Sequence, residues 1–133
     1  MGHTGDMAEG DVQVLVVDDQ APFRQAVRAV LRHLPGFAIA GEAETGERSV
    51  ELAAELSPAL VLMDINLPGI SGLEATARIL DTAPRTVVFL CSTYGRNDLP
   101  AAVATSGAAA YVHKEELTAA LLRELWQAHA PTA

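Results

Sequence analysis

The chain has 133 residues, half of them apolar, which suffices for one domain with a real core and is too little for two ordinary ones. Seventeen acidic residues against nine Lys and Arg leave a net charge of −8, which argues against general binding to nucleic acid or anionic membranes, since both need a basic surface. No apolar stretch reaches the roughly 18 residues of a membrane span, and the lone cysteine, Cys91, excludes an internal disulfide.

Taken in chain order, residues 1–11 (MGHTGDMAEGD) are polar, Gly-rich and acidic, without the apolar core of a signal peptide. They read as a disordered segment or a tag ahead of a soluble, cytoplasmic domain. Val12–Val17 is an apolar run of strand length. Pro22 fits a first helical turn, and Phe23, Val27, Val30, Leu31 and Leu34 recur at helical spacing until Pro35-Gly36. Phe37–Ala43 reads as a second strand, and 47–56 as a helix stopped by Ser57-Pro58. Leu60–Asp64 is a third strand, and the Pro68-Gly69-Ile70-Ser71-Gly72 loop leads into a helix over 73–80. A fourth strand over 86–91 precedes an Ala-rich helix over 97–106, whose only larger anchors are Leu99 and Val103. A fifth strand covers 109–113. The last helix, 116–129, carries Leu117, Leu121 and Leu125 on one stripe and Leu122 with Trp126 on another. That second stripe either packs on the sheet or forms an exposed patch for a partner.

Five strands alternating with five helices predict an α/β protein of (βα)₅ architecture, a doubly wound parallel five-stranded sheet with helices on both faces. Right-handed crossovers favour the flavodoxin-like order 2-1-3-4-5. The first and third strands are then neighbours, and Asp18, Asp19 and Asp64 converge at the sheet edge where ligand crevices lie. Three like charges there raise one another's pKa unless a cation joins them, and oxygen ligands with room for water suit Mg²⁺. One of Asp18 and Asp19 can instead cap the following helix; the other needs a different role.

Asp64, beside a Pro-Gly-stiffened turn, can be held near a metal as a nucleophile. Ser92 adds a hydroxyl at the fourth strand end, and Lys114 adds a cation at the fifth. A metal, a carboxylate, a hydroxyl and an ammonium together can hold a phosphoryl group. His33, His113 and His129 lack metal-ligand spacing and read as surface or helix-end residues.

In the VLVVDDQ, VLMDINLPGISGLE, VVFLCST and GAAAYVHKEEL segments, in that order and at matching spacing, the chain resembles the receiver domain of bacterial two-component response regulators. The likeness covers about residues 11–129, and it is greatest to the subfamily with a C-terminal LuxR-type helix-turn-helix. The resemblance implies a CheY-like receiver over 12–130 in which Asp64 is the phosphoacceptor for a sensor histidine kinase or a phosphotransfer protein. It implies Mg²⁺ held by Asp18, Asp19, Asp64 and the backbone carbonyl of Asn66. Ser92 and Lys114 would then contact the phosphoryl group, and Tyr111 would be the aromatic switch that turns inward with Ser92.

The output implied is protein contact near the fourth helix, fifth strand and fifth helix, through a downstream partner or an effector domain. A phosphorylation-dependent homodimer is a further partner the resemblance allows. The chain is either a stand-alone receiver or part of a longer DNA-binding regulator.

Three features depart from the family pattern. Glu115 follows Lys114 where many relatives have a cis proline; a non-proline cis bond costs about 2.5–4 kcal/mol. The approach to Tyr111, Gly107-Ala108-Ala109-Ala110, lacks a polar residue. Tyr94 and Asn66, two positions beyond Ser92 and Asp64, flank the water approach to the acid. An Asp-nucleophile phosphatase of the haloacid dehalogenase type would carry an acid at Asn66 and a cap domain, so turnover of an outside substrate is not expected. The alternative, a phosphorylation-independent pseudo-receiver acting as a binding module, usually lacks one of the key residues, and all of them are present here.

Overall fold

The computed structural model describes residues 11–131, so the expectation for 1–11 lies, Asp11 apart, outside the described residues. Five parallel strands, β1 (Val12–Val17), β2 (Phe37–Ala43), β3 (Leu60–Asp64), β4 (Val87–Ser92) and β5 (Ala110–His113), form one sheet in the order β2-β1-β3-β4-β5. Helices α1 (Ala21–Arg32), α2 (Gly46–Leu56), α3 (Gly72–Thr82) and α4 (Ala119–His129) cover its faces. This is the predicted flavodoxin-like order.

The near-continuous apolar runs of β3 and β4 are buried along their whole length, as expected of inner strands covered on both faces. The edge strands β2 and β5 carry Gly, Ala, Glu and His and are only half-buried. Successive strand residues point to opposite faces. Val14, Val16, Leu60, Leu62 and Phe89 therefore pack with Val27 of α1 and Leu122 of α4, whereas Leu15, Val17, Val61, Met63 and Leu90 pack with Leu52 of α2 and Ile79 of α3. Burying each Leu or Phe contributes about 1.5–3 kcal/mol, and the double-sided packing makes the strand ends a firm platform.

The parallel register sets Val17 beside Met63, Asp64 beside Cys91, and Ser92 beside His113. Residues just past β1 and β5 and at the ends of β3 and β4 thus emerge along one edge. Helix entries at that edge are capped locally: Thr45 accepts from Arg48 N–H, and Ser71 accepts from Glu74 N–H in an S-x-x-E sequence.

The helix expected over 97–106 does not form as an α-helix. Two short 3₁₀ segments, Arg96–Asp98 and Ala101–Thr105, flank Leu99-Pro100. Proline has no N–H to donate and pushes its predecessor out of the helical region, and Leu99 is extended at φ −65° and ψ 138°. Among the described residues the α-helices are accordingly four, not five. Leu99 and Val103 nevertheless pack against the second core as anchors. The last helix begins at Ala119 rather than at 116, because Thr118 caps it and Lys114–Glu116 forms a 3₁₀ turn. Its second stripe packs inward: Leu122 is fully buried, and Trp126 meets Phe37 edge-on, with ring centroids 6.2 Å apart. No helix among the described residues is long and apolar enough to cross a membrane.

Candidate functional site

Asp18 is the first residue past β1 and is fully buried. Its N–H donates to Ala43 O (3.0 Å), its carbonyl accepts from Arg24 Nη1 (2.7 Å), and its Oδ1 accepts from Gln20 N–H (2.8 Å). Neither Asp18 nor Asp19 caps α1, whose N-cap is Gln20 without a side-chain bond. Asp18 instead closes a local turn, which leaves Asp19 exposed at the rim. Asp64 ends β3 at 5% exposure, and its Oδ1 accepts from Asn66 N–H at 3.2 Å. Carboxylate oxygens of Asp18, Asp19 and Asp64 lie within 4.8 Å of one another.

The loop after Asp64 is folded tightly back against the strand. Gly72 N–H donates to Ile65 O at 2.9 Å, and a Cβ at Gly72 would collide with the Asp64 carbonyl, so only glycine fits this approach. Gly69 turns the loop with φ +78°, a conformation that favours glycine. Glu47, from the start of α2, accepts from Ile70 N–H at 3.1 Å and steadies the loop from outside.

Lys114 completes the charge pattern. Its Nζ lies 2.6 Å from Asp18 Oδ2, 3.6 Å from Asp64 Oδ2 and 4.7 Å from the centroid of the Phe23 ring. The 2.6 Å approach is an ion pair rather than a directed hydrogen bond, and among the described residues Asp18 Oδ2 has no hydrogen-bond donor of good geometry. Burial raises the Asp64 pKa to about 6, helped by the Asp18 charge and to a lesser extent by Asp19, against the lowering influence of Lys114 and the Asn66 N–H. Burial alone would lower the Lys114 pKa, but Asp18 and Asp64 outweigh it and leave the ammonium raised.

An excess of negative charge, a buried carboxylate oxygen without a directed donor and an all-oxygen donor set fit a hard divalent cation such as Mg²⁺. The cleft of about 330 Å³ in front of them is lined by Asp19, Gln20, Asp64, Asn66, Ser92, Thr93 and Lys114.

Ser92 lies at the end of β4 and is buried. Its Oγ accepts from Tyr94 N–H (3.1 Å) and sits 2.9 Å from the Tyr111 hydroxyl. That hydroxyl is also 2.6 Å from Tyr94 O and 3.1 Å from Ser92 O. Tyr111 therefore stands inward behind the cleft, against the second core, with its polar tip on the β4 terminus. The Tyr94 hydroxyl reaches Asn66 Oδ1 at 3.5 Å, spanning the cleft from β4 to the β3 loop. The described peptide bonds are all trans, Lys114–Glu115 included.

Three contributors were not singled out from the sequence. By its spacing Phe23 is only a helix-face apolar residue, yet it also bears the lysine. Nothing in the sequence pattern marks Arg24, although it grips the Asp18 carbonyl. His113 is a helix-end residue as the sequence suggests, but its bonds are not legible there: its Nδ1 accepts from Glu115 N–H and its Nε2 lies 3.1 Å from Thr93 O. Glu115 can make that bond because it is not proline.

The sheet order and its acid-lined edge define the response-regulator class of α/β domain. The chain belongs to the response regulator receiver domain family, whose description matches residues 14–125. It is 38% identical over 103 residues to the response regulator GacA of Pseudomonas aeruginosa, covering 77% of this chain and 48% of that protein. It is 37% identical to the response regulator UvrY of Escherichia coli K12, covering 77% and 47%. The chain thus spans about half the length of the curated relatives it matches. Among solved structures, a LuxR-family two-component response regulator from Aurantimonas superposes with TM-score 0.78 at 26% identity, covering 91% of this chain and 89% of that one. The response regulator domain of Thermotoga maritima CheB gives TM-score 0.78 at 27% identity, covering 89% and 96%.

Proposed function

We propose that this receiver, spanning residues 12–130, takes a phosphoryl group onto Asp64 from a phosphohistidine of a sensor histidine kinase or a phosphotransfer protein. The observation that carries the reading is the meeting of Asp18, Asp19 and Asp64 with Lys114 and Ser92 around one cleft. A carboxylate oxygen of Asp64 attacks phosphorus; the O–P bond forms as the P–N bond breaks, and the imidazole leaves with the bonding pair and takes up a proton. Asp18, Asp19, Asp64 and the Asn66 carbonyl would hold Mg²⁺, which neutralises charge on the phosphoryl oxygens when bound.

Lys114, already 3.6 Å from Asp64, pairs with the new phosphate charge. Ser92 donates its hydroxyl proton to a phosphoryl oxygen, which requires it to leave its contact with Tyr111. Tyr111 is thereby the switch that carries the event to β5, segment 97–106 and α4, where a protein partner, an effector domain or a second copy reads it. The 3₁₀ form of segment 96–105 suits a part that must rearrange, since such short turns hold few internal bonds. Relatives named as transcriptional regulators, such as DegU of Brevibacillus brevis, suggest that the reader is a DNA-binding domain on a longer chain.

Incubation with Mg²⁺ and acetyl phosphate, followed by intact-mass measurement, tests the reading. One added phosphoryl group, absent in Asp64→Asn, is expected. No adduct from either acetyl phosphate or a cognate kinase would leave only a phosphorylation-independent binding module.

A further inference from the structure

Arg24 is a charged group of the site region that the phosphoacceptor chemistry leaves unused. Its side chain is 12% exposed, as deeply placed as Lys114 at 14%. Nη1 donates to the Asp18 carbonyl at 2.7 Å, Nε donates to Glu42 Oε1 at 3.2 Å, and Nη2 lies 3.7 Å from Glu44 Oε2. The guanidinium is thus neutralised by the end of β2 rather than by the cleft.

At the Asp18 carbonyl the turn it grips is held by this bond. α1 starts at Ala21, directly after Gln20, without a side-chain cap of its own. Asp18 is fixed by the Ala43 carbonyl at its N–H, by Gln20 at Oδ1, by Lys114 at Oδ2 and by Arg24 at its carbonyl. Of these, only the arginine bond ties the far side of the Asp18 peptide, the one that leads into Asp19. A planar fork spanning β2 and that carbonyl suits a guanidinium and cannot be reproduced by a single ammonium.

We propose that Arg24 is a positioning residue for divalent-cation binding: through the Asp18 carbonyl it holds the Asp18-Asp19 turn so that both carboxylates face Asp64. The inference rests on the cation half of the function proposed above. It makes a prediction opposite in sign to simple electrostatics. Removing a positive charge beside three carboxylates should tighten divalent binding, whereas losing a positioning bond should weaken it.

Isothermal titration of the intact chain with MgCl₂ alone separates the two. Arg24→Lys, which keeps the charge, and Arg24→Gln, which removes it, are both expected to bind Mg²⁺ roughly tenfold more weakly than wild type, the scale on which outer-shell supports act. Folded variants that bind equally well or more tightly overturn the proposal while leaving the phosphoacceptor reading intact. A wild-type protein that binds no Mg²⁺ overturns the cation reading and this proposal together, and the mass experiment then decides separately on Asp64.

A second measurement needs no variant. Solution NMR of the wild type should show slowed rotation of the Arg24 guanidinium, with distinct Nη1 proton signals. A freely rotating group overturns the proposal whatever the variants do.

Discussion

Lys114 stands 2.6 Å from Asp18 and 3.6 Å from Asp64, so its charge is committed first to the fully buried acid at the back of the cleft. Removing the lysine strands that carboxylate. Breaking a buried pair from one side costs about 3–5 kcal/mol, and the lysine's partial exposure places the expected loss for Lys114→Met at the lower end. Urea denaturation in chelator should show it, and Mg²⁺ should recover part of it. A loss that Mg²⁺ leaves unchanged would mean that the cation and the lysine do not share Asp18.

Asp64 supplies a pH dependence of definite sign. Its folded-state pKa is about 6 against an ordinary 3.8, so the folded protein holds the proton more tightly than the unfolded chain does. Its contribution to stability is complete below about pH 4, declines as pH rises through about 6, and is gone above that. Asp64→Asn removes the penalty and should stabilise the metal-free protein near neutral pH by about 1–3 kcal/mol. The gain should vanish toward pH 4. Denaturation curves over a pH series check this, and a pH-independent difference between the two proteins would contradict it.

Tyr94 spans the cleft toward Asn66, its hydroxyl 3.5 Å from the Asn66 side chain. A ring in that place covers the approach of water to a phosphoryl group on Asp64. Tyr94→Ala should therefore lose phosphate several-fold faster than wild type, measured as decay of the phosphorylated mass after the donor is removed. Equal half-lives would sink the idea.

Gly72 touches the backbone of Asp64 so closely that a methyl group has no room. Gly72→Ala must push the β3–α3 loop off the strand end, with an expected cost of about 1–3 kcal/mol from overpacking. The same shift should slow phosphorylation of Asp64 by acetyl phosphate. A stable variant with normal labelling would show that the loop yields without moving the acid.

The strands were the most legible part of the fold, since uninterrupted runs such as Leu60–Asp64 admit few other readings once Pro and Gly bound them. The sheet order followed from crossover handedness, and with it the meeting of Asp18, Asp19 and Asp64. Segment 97–106 misled because alanine favours helix at each position, while one residue, Pro100, decides the whole segment by withholding its N–H. Contacts that join distant parts of the chain were not legible at all. Nothing local to Arg24 says that its fork will span Glu42 and a carbonyl six residues earlier, and nothing local to Phe23 says that a lysine will lie over its ring. The departure at Glu115 was visible, but the bond from its N–H to His113 depends on the turn that follows β5.

The short strand β5 sorts its side chains by parity. Tyr111 enters the core shared with α2 and α3, Val112 enters the core shared with α1 and α4, and Lys114 beyond the strand end meets Phe23 of α1. The hydroxyl side and the ammonium side of the cleft are thus rooted in separate hydrophobic compartments, with the sheet as the wall between them. A packing defect carved beneath Tyr111 should leave the footing of Lys114 untouched, and one carved beneath Phe23 should spare Tyr111. The two halves of the pocket can therefore be tuned, or can drift, independently of each other.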